Sequence, residues 1–457
     1  MSTLNVLLVT YVFPPGGGVG VLRAASLARY FPAEEIQLDV LTARNASAVG
    51  ADPTLLREIP AEVKVHRTVT LDLPFAIKKR IKKLISGSKQ PAGKTAGPPA
   101  PGKPNLFKRI LENLLLPDPQ VTWYPVLIRA ARRIIRERKI DLVLITVPPF
   151  SSVLLVKKLR KEFPGLAIVV DFRDEWLSTA IDLVGFSRGE RARRIARDVE
   201  ASAVENASAV VAVTEAARRE IRARYPQEPE SKFVLISNGF DASRLPPFAP
   251  PSGPRPDGRI VVAHIGTVYA STEPSTLVEA LLSLPPELKS RLRFRYIGHI
   301  EEARFREALL QLGDMVELRG FLPQREALAA MNDSDYVLLT QHGRLNIAAK
   351  LYDYIGGGKP VLATVHPDGP ERLLLEELRA GWWVDSRDVE GIRRLFIDAA
   401  RRVNSLQTEF QPDKTKVALY ERKVLAQRYA ALLHSIAGKR REPGSPLPLA
   451  EPAGERR

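Results

Sequence analysis

Cysteine is absent from this 457-residue chain. That excludes disulfides, thiolate metal sites and cysteine nucleophiles together, and it fits a reducing compartment. Histidine is scarce, with six residues, and His264, His299 and His342 do not plainly supply a catalytic set. Long apolar runs are missing as well. The apolar stretches are broken by Pro148 and Pro149 or by charges, and none approaches the length that spans a bilayer. A strand-like run begins at Asn5, so no secretory signal is expected. Negative charge is the minority sign: 68 Lys and Arg face 52 Asp and Glu, a net charge of +16.

What is present suits full-sized cores. Hydrophobic residues make up 45% of the chain, enough to fold without staples. The length points to roughly two or three domains. The charge is uneven. Residues 1–250 carry 38 basic and 25 acidic side chains, whereas residues 251–457 carry 30 and 27. An excess of +13 in one half against +3 in the other marks a surface that meets a polyanion or an anionic membrane. The plainer reading is a solvated basic surface. No helix-turn-helix, zinc or RNP-like motif accompanies the charge, so nucleic acid is not an expected partner.

Short apolar runs alternate with helix-length segments along the chain. Strands are expected at Val6–Thr10, Gln37–Leu41, Val63–His66, Leu142–Thr146, Ala167–Asp171, Ala209–Val213 and Phe233–Ser237. Helices are expected at Leu22–Tyr30, Val126–Lys139, Val153–Glu162, Arg188–Glu205 and Glu215–Tyr225. A second series follows at Ile260–Ile265, Arg293–Ile297, Val316–Arg319, Tyr336–Thr340, Pro360–Thr364 and Gly381–Val384, with a last helix over Lys414–Ala437. This rhythm predicts an α/β protein of two doubly wound, Rossmann-like domains, each built on a mainly parallel sheet. The expected organisation is an N-terminal domain over 1–245, a linker over 246–259 and a C-terminal domain over 260–410. A helix over 411–437 and a disordered tail over 438–457 complete it.

A Pro/Gly/Ser/Lys-rich insertion, 86–104, interrupts the N-terminal domain. Before it, FAIKKRIKKLI (75–85) puts Ile77, Ile81, Leu84 and Ile85 on one helical face, with Lys78, Lys79, Arg80, Lys82 and Lys83 around the rest. Such a segment suits an anionic bilayer surface, and equally a stripe packed on the N-terminal domain with its lysines facing water. The apolar stripe of 105–116 is less basic and suits packing on the domain.

Two strand–loop–helix elements carry the chemistry. In NVLLVTYVFPPGGGVGVLR (5–23), glycines including Gly17 and Gly18 let the backbone approach a ligand, and the following helix offers its positive end to a phosphate. The spacing is not that of the dinucleotide fingerprint. In HGRLNIAAKLYDYIGGGKP (342–360), backbone amides near Ile347 start a helix bearing Lys350, a cation for a diphosphate, and Asp353, an acceptor for two ribose hydroxyls. Arg344 is a further source of positive charge. A surface Lys–Asp pair at i,i+3 is the competing reading. Gly266 and Tyr269, in HIGTVYAS, belong to the same donor side. DFRDEW (171–176) follows a buried strand, where open α/β sheets bind ligands, so Asp171, Arg173 and Asp174 are candidate acid–base or acceptor residues. An internal Arg–Asp salt bridge is their alternative. Asp118 and Trp123, in LPDPQVTWYP, complete the acceptor side.

Taken in order, YVFPPGGGVGVLR, LPD with Trp123, ITVPPFSS, DFRDEW, AVVAVTEA, SNGFD, IGTVY, GFLP and KLYDYIGGGKPVLA resemble the family-4-like glycosyltransferases of the GT-B fold, of the bacterial cell-envelope type. The resemblance covers roughly 4–75 and 105–435 and implies two domains facing across a cleft. It implies a nucleotide-diphosphate sugar as co-substrate, a lipid-linked or polysaccharide acceptor, retention of anomeric configuration, and neither metal nor other cofactor. Where the family carries two acids eight positions apart, this chain has Asp353 at the second position and Leu345 at the first. The family's Arg/Lys pair after the first strand of the second domain is replaced by TVYASTEPS (267–275). A nucleotide-sugar 2-epimerase and a non-catalytic scaffold of the same fold are the alternatives. The expected location is cytoplasmic, peripheral on the inner face of the membrane.

Overall fold

Runs such as LVLITV and VLATV have no polar face to show water, and in the computed structural model each is buried along its whole length. The structure describes residues 3–46, 52–70, 115–178, 190–245, 255 and 257–441. The basic segment 75–85, the insertion 86–104, the stripe at 105–114, most of the 246–259 linker and the tail from 442 onward lie outside these residues. The chain divides into two compact units: Met1–Ala212, Ile221–Val234 and Ala426–Arg457 form the first, and Val213–Glu220 with Leu235–Leu425 the second.

The first unit is built on β1 (Leu4–Val9), β2 (Ile36–Ala43), β3 (Lys64–Thr68), β4 (Leu142–Val147), β5 (Ala167–Phe172), β6 (Ala209–Ala212) and β7 (Phe233–Leu235). Their order in the sheet is β3-β2-β1-β4-β5-β6-β7. The second contains β8 (Ile260–Ile265), β9 (Leu292–Ile297), β10 (Val316–Gly320), β11 (Tyr336–Gln341), β12 (Val361–Val365) and β13 (Gly381–Asp385), in the order β10-β9-β8-β11-β12-β13. Pairings such as β1 with β4 and β8 with β9 are parallel. All thirteen expected strands are present, with ends shifted by one or two residues.

Alternation along β11 shows why both faces must be covered. Tyr336 and Leu338 enter one core cluster with Phe294, Phe396 and Leu281. Val337 and Leu339 enter the other with Leu351, Tyr354 and Leu375. Successive side chains point to opposite faces, so a strand apolar at every position needs helices on both sides. The helix Lys350–Gly356 meets this sheet closely enough to require its glycines. A Cβ on Gly356 would fall 2.3 Å from the Phe240 ring, and one on Gly357 would fall 2.7 Å from the Met331 methyl. Lys359, 1% exposed, donates to the carbonyls of Asn332 and Ser334, both at 2.8 Å.

The expected single helix over Lys414–Ala437 is instead two, Lys414–Ala418 and Arg422–Arg441. The reason is backbone competition. Phe240 donates its N–H to Tyr420 O at 3.1 Å and accepts from Arg422 N at 2.8 Å, so the residues between are paired with Phe240 rather than with a helix. Gly239 makes this possible, since a Cβ there would meet Tyr420 O at 2.0 Å. Among the described residues no helix is long and apolar enough to cross a membrane.

At the centre of the first unit Arg23 reaches Asp171 with two hydrogen bonds of 3.0 Å, from Nε and Nη2. Thr146 Oγ1 also donates to Asp171 at 2.8 Å, and Arg23 Nη2 donates to Tyr429 Oη at 2.5 Å. Asp171 is completely buried. The interior charge pair is tolerable only because each partner neutralises the other, and removing one leaves an uncompensated buried charge. Asp171→Ala is therefore expected to destabilise the first unit by about 3–5 kcal/mol. A urea melt of wild type against this variant, in which the two coincide, would refute the assignment.

Candidate functional site

In open parallel sheets, ligands bind beyond the carboxyl ends of the strands, where the strand order reverses. In the first unit that point lies between β1 and β4. Gly17 and Gly18 fall in the loop after β1, and Gly18, at φ +93°, precedes the helix Val19–Tyr30, whose first turn has no side-chain cap. Arg173 follows β5 and spans back toward this loop. Its Nε donates to Val147 O at 3.2 Å, its Nη2 to Pro148 O at 2.7 Å and its Nη1 to Gly20 O. Gly20 has no Cβ for a reason: one would lie 3.2 Å from Nη1. Burial lowers the Arg173 pKa below its ordinary value. Its guanidinium thus ties the end of β4 and the first turn of the helix Val19–Tyr30 to the end of β5.

The other expected residues of this edge take different roles. Asp171 lies inside the sheet layer, paired with Arg23 as described. The internal Arg–Asp pair read as an alternative exists, with Arg23 in place of Arg173. Burial raises the Asp174 pKa, with Arg173 opposing. Asp118 Oδ2 accepts the Ser151 N–H at 2.8 Å. Its Oδ1 is buried and finds no partner among the described residues, and burial raises the carboxyl pKa. Trp123 is a correction. Expected to face an acceptor, it is 1% exposed. Its Nε1 donates to Thr68 Oγ1 at 2.8 Å and its ring meets Tyr11 edge-on at 5.2 Å. It is a core residue, and an indole enclosed this way offers no face to a ligand. The half-exposed indole at this edge is Trp176, which sequence reasoning passed over.

In the second unit the order reverses between β8 and β11, and here Gly266 and Lys350, two of the expected donor residues, lie side by side. Gly266 follows β8 at φ +125°, a conformation that side chains rarely adopt. Its N–H donates to Ile297 O at 2.8 Å. The space its missing Cβ leaves lies 3.5 Å from Lys350 Nζ. Tyr269, 37% exposed, caps a short turn through its backbone, where its N–H donates to Thr272 Oγ1 at 2.9 Å. The loop after β11 is tied to the loop after β8: His342 N donates to Ser271 O at 2.9 Å, and His342 Nε2 lies 3.0 Å from Glu273 O. Arg344 is exposed, Leu345 is buried and Ile347 packs on the core beneath.

Two ionisable groups at this edge were not singled out as site residues from the sequence. His264, 2% exposed at the end of β8, has Nε2 3.0 Å from Lys350 Nζ and stacks on Tyr296 at 5.0 Å. Burial holds its pKa well below the usual imidazole range, and the Lys350 charge adds to this. The ring is therefore neutral and accepts from the lysine. Burial alone lowers Lys350 to about 7. The second group is Glu371, completely buried at the start of the helix Pro370–Leu378. Its Oε1 accepts the Ala348 N–H at 3.1 Å, so one amide expected to face a diphosphate is already engaged. Its Oε2 finds no partner among the described residues. Asp353 sits among charges rather than in open solvent. Burial raises its pKa, Arg422 and Arg244 oppose that, and Asp241 adds to it.

Burial pushes the Glu371 carboxyl up to about 7 from 4.5. A raised folded-state pKa means the native chain holds the proton more tightly, so its stabilising effect is complete below 4.5 and is lost as pH rises to 7. Glu371→Gln keeps the Ala348 bond without a charge to bury. Its stability relative to wild type is expected to grow by on the order of 2–3 kcal/mol between pH 4.5 and 8. Chemical denaturation of both proteins across that window measures the difference, and a constant difference contradicts it.

A family model for Glycosyltransferase Family 4 matches residues 93–244. The putative colanic acid biosynthesis glycosyltransferase WcaL of Salmonella typhimurium is 27% identical over 221 residues, which are 46% of this chain and 52% of that protein. The chain thus spans about half the length of the curated relatives it matches. Among solved structures, sucrose-phosphate synthase from Thermosynechococcus elongatus matches with a TM-score of 0.62 at 14% identity, over 95% of this chain and 99% of that one. HepE of Anabaena in complex with UDP matches with a TM-score of 0.59 at 16% identity, over 94% and 100%. At such identities the solved structures speak for the fold, and the family model and WcaL speak for the sequence. Residues 93–244 are thus similar to Glycosyltransferase Family 4, and the two-sheet fold is shared with these solved glycosyltransferase-type structures.

Proposed function

We propose that this chain transfers a sugar from a nucleotide-diphosphate sugar to a cell-envelope acceptor, a polysaccharide or a glycolipid, with retention of configuration and without a metal. The observation that carries this reading is Lys350, a buried amine beside the Gly266 opening at the reversal point of the second sheet. WcaL, named for colanic acid synthesis, supports the envelope polysaccharide, and the UDP bound to HepE supports a nucleotide donor. Retention rests on the family resemblance.

Transfer leaves charge on the departing diphosphate, and a fixed cation in a site shielded from water stabilises that charge more than water does. Lys350 is suited to this role. Among the described residues its close polar partner is the neutral His264 ring and no carboxylate pairs with it, so an arriving diphosphate would supply the counter-ion. The sequence lacks the family's Arg/Lys pair in 267–275, which leaves Lys350 and the exposed Arg344 as candidate cations for the donor.

The pH dependence follows with a definite sign. Below pH 7 Lys350 is charged before the donor arrives. Above it, binding must draw in a proton, so affinity is expected to fall as pH rises through 7, toward tenfold per unit. Lys350→Ala should weaken binding by about 1.5–3 kcal/mol and flatten that pH profile. Calorimetric titration of a panel of nucleotide sugars in EDTA tests both statements, and tests the absence of metal in the same cell. Equal affinity in wild type and variant, or a requirement for added Mg²⁺, contradicts the reading.

The acceptor reading includes docking on an anionic membrane through the basic segment 75–85, supported by the charge split along the sequence. Each Lys or Arg near such a surface contributes about 1 kcal/mol, screened by salt. Wild type is expected to co-sediment with phosphatidylglycerol vesicles at low salt and to be released at high salt. A protein with Lys78, Lys79, Lys82 and Lys83 changed to Gln should stay in solution. Equal binding of the two proteins defeats this part of the proposal.

A further inference from the structure

The carboxyl edge of the first sheet holds an aromatic ring whose setting the proposed chemistry does not yet use. Trp176 lies face to face with Phe150, ring centroids 4.3 Å apart and planes 4° from parallel. Phe150 is 5% exposed and backs onto Phe172 at 6.5 Å, whereas Trp176 is half-buried. The indole is thus a shelf supported from below by the core.

The shelf is held from both sides. Arg173, three residues before it, is bound to three backbone carbonyls as described. Glu175, buried beside it, accepts from Leu177 N at 3.2 Å and Ser178 N at 2.8 Å. Glu175 also receives Arg224 Nη2 at 2.6 Å, and Arg224 in turn pairs with the buried Glu200 at 2.8 Å. The DFRDEW segment is charged, yet Arg173 and Glu175 are committed to fixing the backbone around Trp176. A ring already immobilised loses little freedom on binding, which is the advantage of a preorganised site.

Polar atoms on or tied to the Phe150–Val153 turn choose the ligand. Asp118 Oδ2 holds the amide of Ser151, the residue after Phe150, while its buried Oδ1 finds no partner among the described residues. Ser152 Oγ, in a residue 2% exposed, finds none either. Buried polar atoms are normally satisfied, so unsatisfied ones mark places where a ligand or water completes the bonding. These groups accept hydrogen bonds from hydroxyls. Carboxyl groups at Asp118 and Asp174, with the Arg173 charge already engaged, disfavour a phosphate. A flat apolar ring bordered by hydroxyl-accepting oxygens fits a neutral pyranose, whose C–H face lies on the ring and whose hydroxyls bond at its rim.

We propose that Trp176, backed by Phe150 and bordered by Asp118 and Ser152, is the floor of a subsite for a neutral sugar ring of the acceptor. This rests on the transferase reading for the word acceptor, but the sugar site itself is tested separately. The whole chain is labelled with fluorotryptophan, and the resonance missing from Trp176→Phe identifies Trp176 among the four tryptophans. Methyl α-D-glucopyranoside, methyl α-D-galactopyranoside, methyl α-D-mannopyranoside and UDP are titrated in separate arms, with saturation-transfer NMR on unlabelled wild type, Trp176→Phe and Trp176→Ala.

The expected result is a saturable shift of the Trp176 resonance with at least one glycoside. Trp176→Ala should bind that glycoside about tenfold more weakly, with Trp176→Phe between. Thermal melts matching wild type show that the variants are folded, and Trp176→Phe carries the comparison if the alanine protein is not. No glycoside moving Trp176, undiminished binding in both variants, or a Trp176 shift caused by UDP instead overturns the proposal. Glycoside binding without any nucleotide-sugar binding keeps the sugar subsite and defeats the transferase reading; the converse does the opposite.

Discussion

Strands buried on both faces are the constraint from which the rest of this structure follows. A parallel sheet cannot close its connections with tight hairpins, so each strand returns through a covering helix and every strand ends at the same edge. In each unit the order runs outward from a central strand and then reverses, and at that reversal neighbouring loops diverge and leave room for a ligand. Gly17, Gly18 and the Phe150–Ser152 turn reach that place in one unit. Gly266, Tyr269, Arg344 and Lys350 reach it in the other, although 80 or so residues separate the two loops in sequence.

Charge inside these units falls into two kinds. Arg23 pairs with Asp171, and Arg224 bridges Glu175 and Glu200, so every ion of these groups meets an opposite charge. They fasten strand ends and hold neighbouring rings. Lys350 and Glu371 are different. Burial drives both toward neutrality near pH 7, one from above and one from below, with no opposite charge against either among the described residues. Groups kept in a costly state at a strand's carboxyl edge are where ligand chemistry is expected. The contrast separates DFRDEW, whose charges mainly build, from KLYDY, whose buried lysine has the His264 ring as its close polar partner among the described residues.

The same contrast shows how far residue types carry a site. Lys350 and Gly266 were legible because a glycine-rich turn beside a buried strand has few other uses, and they do come together. Trp123 and Trp176 were not distinguishable by type. Each is an aromatic near a strand end, and only packing decides that Trp123 is enclosed by Tyr11 and Thr68 while Trp176 rests on Phe150. Glu371 gave no signal at all. Its importance comes from an amide 23 residues away, at Ala348, and from an Oε2 that finds no partner among the described residues.

The sequence by itself determined the strands, the helices between most of them and the α/β class, because period and apolar runs are local properties of the chain. It determined as well that the glycine runs GGGVG and GGG would fall where strand and helix join. Tertiary structure decided which charges pair, which aromatic is open, and that the last helix breaks where Tyr420 and Arg422 pair with Phe240. These depend on groups far apart in the chain competing for the same hydrogen bond or the same space, and such competition has no trace in local pattern.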